Sequence, residues 1–433
     1  MSKNVCMFVW NHFTNDARVL RECTALSENG YSVDLICIDD PSDSGLEKFE
    51  KKNENFHVYR VRRYPALLEL LQKIFRKCMQ NKMIGLIAFL IWLVLIYINL
   101  LVFGSITILA GVLLKTKLKV VWVRGSIIFR MVASGFNSKY DIYHSNDLNT
   151  LPQGYICSKF RINKKKLIYD SHEVQTSRTG YDSKYHGILE SFLIKRIDTM
   201  IVENHTRAHF NKDLYGFYPN VIHNYPFTQT IKQVEKAPLQ EMLKLPQSEK
   251  VFLYQGGIQA GRGLDKLIKA VPLFKEGTLV LIGDGKIKPQ LVDMVNKMKL
   301  DEKVKFLPKV PVNELPSYTK NAYLGFQVLN NVNFNHYSAS SNKLFEYIMS
   351  DVPVVACSFP EIKKVVEGEQ VGLCIDSHSH ESIAFGVNTL LEDNVLYQTF
   401  KDNCLAAKKS YNWENETDNF LTIYNEVSYI AKH

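Results

Sequence analysis

VFLYQGGIQAGRGLDKLIKAVPLFKEGTLVLIGDG, residues 251–285, is the stretch whose reading decides the fold. A short apolar run ends in glycines, a helix-like segment begins near Leu264, and a second apolar run ends in Gly-Asp-Gly. Short apolar runs bounded by turn residues read as buried strands, and strands separated by helices imply a parallel sheet with helices on both faces. Toward the carboxyl terminus the rhythm continues with a helix from about Pro289, KVKFLPKV, AYLGFQVL, a helix starting near Asn342 and VPVVACS. The chain then reads as helices from about Ser382 through YNWENETDNFLTIYNEV.

Toward the amino terminus, residues 227–249 are mostly polar, contain Pro238 and Pro246, and read as a linker. Before it the α/β rhythm is already present: VCMFVW, a helix from about Asp16 to Asn29, YSVDLICI and HVYRV. Gly30 stops the first helix, as a glycine just past a helix end should. After an apolar interruption come KYDIYHS, a helix near Leu151 to Phe160, KKLIYDSHE, a helix across Ile188 to Arg196, and TMIVEN. The expectation is an α/β chain of two doubly wound, Rossmann-like domains. The first covers residues 1–226 and the second 250–395, with C-terminal helices at 396–433 packing back toward the first.

The 433 residues are 46% hydrophobic and 22% charged, too long for a single core and too apolar for a disordered chain. The eight cysteines form no C-x-x-C pair, so neither a zinc site nor a disulfide framework is expected, and a reducing compartment fits. SKNVCMFVW reads as a buried strand, so no cleavable signal is expected before it. Net charge is +9, and between Arg60 and Arg130 there are twelve Lys and Arg against one acidic residue, Glu69. These bases flank an uncharged apolar run, Met83 to Leu114, which points to anionic lipid rather than nucleic acid.

A straight helix over that run would reach roughly 48 Å, more than the ~30 Å hydrocarbon core needs. Two full spans would need about 40 apolar residues. The sheet strands before and after it must lie on one side of a membrane. The run is therefore expected to enter as a bent or re-entrant hairpin, with Gly104 and Ser105 offering the bend and the flanking bases favouring the cytoplasmic side. A buried core hairpin or an oligomer contact is the alternative.

Ligands of parallel sheets bind beyond the strands' carboxyl ends. There, Gly256, Gly257, Gly261 and Gly263 surround Arg262, small residues for close backbone approach and a guanidinium for a phosphate. Alone this is equally a glycine-rich turn with a solvated arginine. Ser340, Ser341 and Asn342 open a helix whose N-terminus would favour a diphosphate, Lys343 in its first turn implies a nearby anion, and Glu346 could accept from ribose hydroxyls. Alone these are an N-cap and an exposed first turn. No D-x-D cluster ends a strand, so no metal is expected.

In combination these segments resemble the GT-B fold glycosyltransferases of family 4, the retaining nucleotide-sugar enzymes. The likeness is carried, in order, by NDARVLRECTALSENGYSV, YHSNDLNTLP, YDSHE, HNYP, YQGGIQAGRG, LIGDG, NKLFEYIMSDVPVVA and YNWENE. It implies two domains facing across a cleft, with an apolar membrane-associated insertion in the first. Gly256, Gly257, Arg262, Ser341, Asn342, Lys343 and Glu346 would hold the donor, Arg262 on the diphosphate and Glu346 on the ribose. Gly283, Gly285, Lys309 and Val310 would border the nucleobase. His144 and Asp147, following a strand with Asn146, would face the reacting sugar, so His144, Asp147 and Arg262 are the expected catalytic residues. Asp16, Asn146, His172 and Glu173 would serve the acceptor, although His144 could be a structural strand-end residue and Ser171–Glu173 a helix cap.

Two positions depart from the family's pattern. Gly257 stands where many members carry arginine, leaving Arg262 where Lys or Arg is usual, and Ser338 replaces a glutamate eight residues before Glu346. The implied function is transfer of a sugar, with retention and without cofactor or metal, from a nucleotide-diphosphate sugar to a lipid-linked glycan such as a polyprenyl-diphosphate saccharide. The implied place is the cytoplasmic face of the cell membrane, in bacterial surface-polysaccharide assembly. A nucleotide-sugar epimerase of related fold and a non-enzymatic membrane-surface binder are the alternatives.

Overall fold

The computed structural model of the chain describes residues 3–43, 45–137, 139–175, 184–228 and 234–429. It separates into two compact units, Met1–Asp170 with Arg196–Asp198, and Ser171–Lys195 with Thr199–His433. The division therefore does not coincide with the expected linker, of which residues 229–233 lie outside the described residues.

In the first unit the strands are β1 (Lys3–Phe8), β2 (Tyr31–Ile38), β3 (Phe49–Asn53), β4 (Phe56–Val61), β5 (Ile142–Asn146) and β6 (Lys166–Ser171). They lie in the order β3-β4-β2-β1-β5-β6, parallel except for the β3–β4 pair. β1 is central, with Val5 between Val33 and Ile142, and from Val5 to Phe8 every residue is buried, as covered parallel strands require. β3 was not expected: FEKKN is an edge strand with exposed lysines, and the antiparallel ladder with β4 forms it despite weak apolar alternation. Helix α1 (Ala17–Glu28) begins where expected because the Asp16 carboxylate accepts from Val19 N–H, and Gly30 follows at φ +86°.

Arg196–Asp198 belongs to this unit through Asp198, whose carboxylate accepts from Leu167 N–H (2.8 Å), Lys159 Nζ (2.6 Å) and Lys166 Nζ (3.2 Å).

The apolar interruption consists of helices α2 (Ala66–Gln80), α3 (Lys82–Ile98), α4 (Leu100–Lys115) and α5 (Leu118–Gly135). A hairpin is formed, but its bend is at Asn99 and not at Gly104–Ser105. Asn99 is extended (φ −154°), ends α3, and caps α4 by accepting from Val102 N–H, so its side chain satisfies a helix donor that glycine could not. Trp92 Nε1 donates to Thr107 Oγ1 at 2.9 Å, tying α3 to α4. No residue of α3 is buried; Tyr97 is 93% and Leu101 82% exposed. Among the described residues no single helix is long and apolar enough to cross a membrane, although α2 and α3 together are, bent by 120°. α5 returns to the sheet, where Ile127 and Met131 are buried.

The second unit contains α7 (Lys184–Ile194), β7 (Thr199–Val202), α8 (His205–Tyr215) and β8 (Asn220–Val221), with β7 and β8 parallel; α6 (Leu151–Lys159) belongs to the first. Its larger sheet comprises β9 (Val251–Gln255), β10 (Thr278–Ile282), β11 (Val304–Leu307), β12 (Ala322–Gln327), β13 (Val354–Cys357) and β14 (Gly372–Ile375). The order is β11-β10-β9-β12-β13-β14 and every pair is parallel. Alternate residues of β9 feed opposite cores. Phe252 and Tyr254 pack with Leu267, Ile268 and Ile383, while Val251 and Leu253 pack with Leu344, Ile348 and Ile362. The last helix, Trp413–Tyr429, closes on residues 223–228: Trp413 N–H donates to Pro226 O (3.0 Å) and Glu416 accepts from the His223 backbone N–H (3.3 Å).

Candidate active site

The order of the second sheet reverses between β9 and β12, so the crevice for a ligand lies at their carboxyl ends. β9 ends at Gln255 and the chain turns on Gly256, whose φ of +122° favours glycine. Gly256 N–H donates to Ile282 O (2.9 Å) and Ile258 N–H to Asp284 O (2.9 Å), so this loop is locked to the end of β10. Gly283 and Gly285 permit that approach: a Cβ on either would stand 2.0 Å from a backbone oxygen, of Gly256 and Ile258 respectively. The loop then reaches half-buried Arg262 before the helix Leu264–Ala270.

The helix Asn342–Met349 is pinned over both strand ends. Ser341 Oγ donates to Gln327 Oε1 (2.9 Å) at the end of β12, and Glu346 Oε2 accepts from Gln255 Nε2 (2.6 Å) at the end of β9. Gln255 is itself held by Thr319 Oγ1, at 2.8 Å. Asn342 accepts from Asn224 Nδ2 (2.9 Å), so its side chain braces the HNYP segment. The first N–H groups of this helix have no intrahelical partner by construction, and their dipole end favours an anion.

Lys343 runs from this first turn onto the glycine loop. A Cβ at Gly256 would meet its Cε at 2.9 Å, and its ammonium lies 5.4 Å from the centre of the Tyr254 ring. Desolvation, then repulsion from Arg262, push its pKa down to about 7 against the opposing pull of Glu346. His336 joins the same group. Its ring packs where a Cβ on Gly261 would stand (2.7 Å to Cε1), Nδ1 lies 3.1 Å from Asn330 O, and burial with Arg262 and Lys343 nearby lowers its pKa. The sequence reading missed His336, although it sits in a short helix, Phe334–Tyr337, in the connection after β12, where ligand-binding segments are expected. Lys309 is exposed, and half-buried Val310 packs against the core near Leu307 and Leu315.

His172 and Glu173 follow β6 in a short turn, with Ser171 Oγ donating to Glu173 O (3.0 Å) rather than capping a helix. The turn is fastened to the loop before Asn342. Val174 N–H donates to Asn335 Oδ1 (2.7 Å) and Asn335 Nδ2 to Val174 O (3.0 Å). Arg207 donates to His172 O and, through Nε, to Ser338 Oγ (3.2 Å), and Asn204 Nδ2 donates to Ser338 O (2.8 Å). Ser338, which stands where the resembled family carries a glutamate, is thus a fully buried partner of a buried arginine.

In the first unit the sheet order reverses between β1 and β5, where Asn146 Nδ2 donates to Phe8 O (3.0 Å). His144 and Asn146 were expected to follow the strand; both lie within it and are buried. His144 Nε2 is 3.8 Å from both Glu22 Oε2 and Asp170 Oδ2, and Arg18 pairs with Asp170 (2.9 Å) and Glu22 (2.9 Å). Among the described residues, Glu22, His144 and Asp170 bring metal-ligating atoms within 4.8 Å of one another, but the Arg18 guanidinium already pairs with both carboxylates. His144 is therefore packed against carboxylates from α1 and β6, inside the sheet and not past its end. Asp147 does lie past the strand, half-buried, at φ +62°, a conformation costly for a side-chain-bearing residue and concentrated at functional sites. Asp16 caps α1 and accepts from Asn11 Nδ2 (2.7 Å).

Residues 236–406 match the family model for glycosyl transferases group 1. Over 309 residues, 66% of this chain and 75% of the relative, it is 25% identical to an uncharacterized glycosyltransferase of Methanocaldococcus jannaschii. A segment covering 38% of the chain is 24% identical to 43% of a Campylobacter jejuni enzyme, named as an N-acetylgalactosamine-N,N'-diacetylbacillosaminyl-diphospho-undecaprenol 4-alpha-N-acetylgalactosaminyltransferase. Among solved structures, sucrose-phosphate synthase of Thermosynechococcus elongatus superposes with a TM-score of 0.74 at 14% identity, covering 99% of this chain and 100% of that one. Anabaena HepE, solved with UDP, superposes with a TM-score of 0.69 at 15% identity, covering 98% and 100%. Residues 236–406 of the second unit thus match the glycosyl transferases group 1 model, and the fold is a two-domain α/β fold of the GT-B kind with parallel sheets.

Proposed function

We propose that the chain transfers a sugar from a nucleotide-diphosphate donor to a lipid-linked glycan, with retention of configuration and without a divalent metal, at the cytoplasmic face of a membrane. The observation that carries this reading is the meeting of Arg262, Lys343 and the Asn342–Met349 helix N-terminus beside Glu346, at the reversal point of the second sheet. A departing diphosphate needs such preorganised positive groups, and they serve it with little covalent chemistry from the protein. Glu346, steadied by Gln255, suits a ribose hydroxyl. The nucleotide is supported by the UDP bound to HepE, and the lipid-linked acceptor by the name of the Campylobacter relative. Membrane contact is supported by the exposed apolar hairpin α3–α4 between basic flanks.

In the first unit Asp147, with Asp16 nearby in role, would orient the acceptor, and His144 would hold β5 and α1 in place through Glu22 and Asp170. The test is incubation of the purified chain with nucleotide sugars and a polyprenyl-diphosphate saccharide, read by mass spectrometry. Elongation of the lipid-linked glycan is expected. Release of free sugar alone, with no elongated lipid from any acceptor of this class, would reject the acceptor.

A further inference from the structure

Lys343 is placed unusually for a phosphate-binding cation. Its stem lies across Gly256, its ammonium stands near the Tyr254 ring, and it shares the site with Arg262 and His336. The neighbouring Gly257 offers no cation and has open space around it, since a Cβ there would meet only Gln259 Cγ at 3.5 Å. Resting on the donor reading above, we propose that Lys343 is a proton-coupled clamp: it accepts a proton as the donor's diphosphate arrives and then holds that diphosphate opposite Arg262.

The charged and titratable groups around Lys343 come from each element packed on it. They are Arg262 from the glycine loop, His336 from the short helix after β12, Glu346 from its own helix, Tyr254 from β9 and Cys357 from the end of β13. Desolvated and with Arg262 near, Lys343 is only partly protonated at neutral pH before a donor arrives, its pKa lying at about 7. A diphosphate within hydrogen-bond reach adds two negative charges, and an opposite charge at such distance favours the ammonium by roughly 1 to 3 pKa units. Binding therefore draws a proton from solvent to Lys343 Nζ, and no other bond is made or broken. The consequence is an affinity that falls as pH rises, by roughly tenfold per unit between the free and bound pKa values.

The experiment is calorimetry of the full chain with UDP-glucose, UDP-N-acetylglucosamine, GDP-mannose and ADP-glucose, whose diphosphate diesters do not titrate near neutrality. The tightest is titrated from pH 6 to 9 in buffers of different ionisation enthalpy. Expected are roughly 0.7 protons taken up per donor at pH 7.5 and nearly none at pH 6, as follows from a pKa of about 7. Lys343→Arg, charged throughout, should abolish uptake and flatten the profile. Lys343→Met should weaken binding at pH 6.5 at least tenfold, and Gly257→Arg added to it should recover much of that loss without uptake. Tight binding with no buffer dependence in the wild type overturns the clamp alone. Full uptake surviving in Lys343→Arg or Lys343→Met puts the proton on His336 and also overturns it. If none of the four donors binds at any pH, the donor reading fails and the clamp with it.

Discussion

Arg262 and Glu346 test the site at the level of single side chains, because each is half-buried at a loop or helix edge and carries little of the core. Arg262→Ala should lower kcat/KM by roughly 2 to 4 kcal/mol of transition-state stabilisation while thermal unfolding stays near wild type. Glu346→Ala should act chiefly on KM if its partner is the ribose, and steady-state kinetics separate the two. Wild-type turnover of Arg262→Ala at subsaturating donor would remove the diphosphate from this loop. The buried quartet of Arg18, Glu22, His144 and Asp170 behaves differently. Arg18→Met strips the cation from two carboxylates at 0% exposure, and urea denaturation should show a loss of about 3 to 5 kcal/mol. These residues also mark the limit of sequence reading. YHSND declares a polar strand end, but only the β1–β5 register reveals that His144 faces α1 from inside the sheet while Asp147 turns out of it. Arg207 and Ser338 are 131 residues apart, so nothing local could announce their bond.

Elements with strong apolar periodicity and clear punctuation were legible. α1 lies between Asp16 and Gly30, and the helix at Asn342 starts where Ser340-Ser341 said it should. β3 was hidden because its partner strand, not its composition, makes it a strand. The hairpin was legible as an apolar run but its corner was not, since glycine inside a helix and asparagine at its cap are distinguished by tertiary setting. If α3 and α4 meet lipid, replacing residues 83–114 by a short polar linker should leave nucleotide-sugar affinity within about twofold. It should also release the protein from liposomes containing anionic lipid and abolish transfer to a bilayer-held acceptor. Sedimentation with those liposomes measures the first effect. Unchanged sedimentation would assign the hairpin to contacts within or between chains, because an exposed apolar surface of this size still needs a partner.

For the whole molecule, the proposed transfer asks little covalent chemistry of the protein, and its expected retention and metal independence rest on the resemblance to the retaining family and on the lack of a D-x-D cluster at a strand end. The initial product should therefore keep the donor's anomeric configuration, and EDTA should leave the rate unchanged; proton NMR of early product and a chelation series check each half separately. The unit boundary was not legible because Ser171–Lys195 joins the second unit through Asn335 and other distant partners, whereas composition changes only after HNYP. The interlocked glycines also bear on which positions of this loop can change. At 283 and 285 the obstacle to any larger residue is a backbone oxygen, which no rotamer can move aside, while position 257 faces open space. Lineages descending from this chain are consequently free to add a side chain at 257 but must inherit the Gly-Asp-Gly corner intact. The corner of this crevice is thus held by backbone, and its charge by side chains alone.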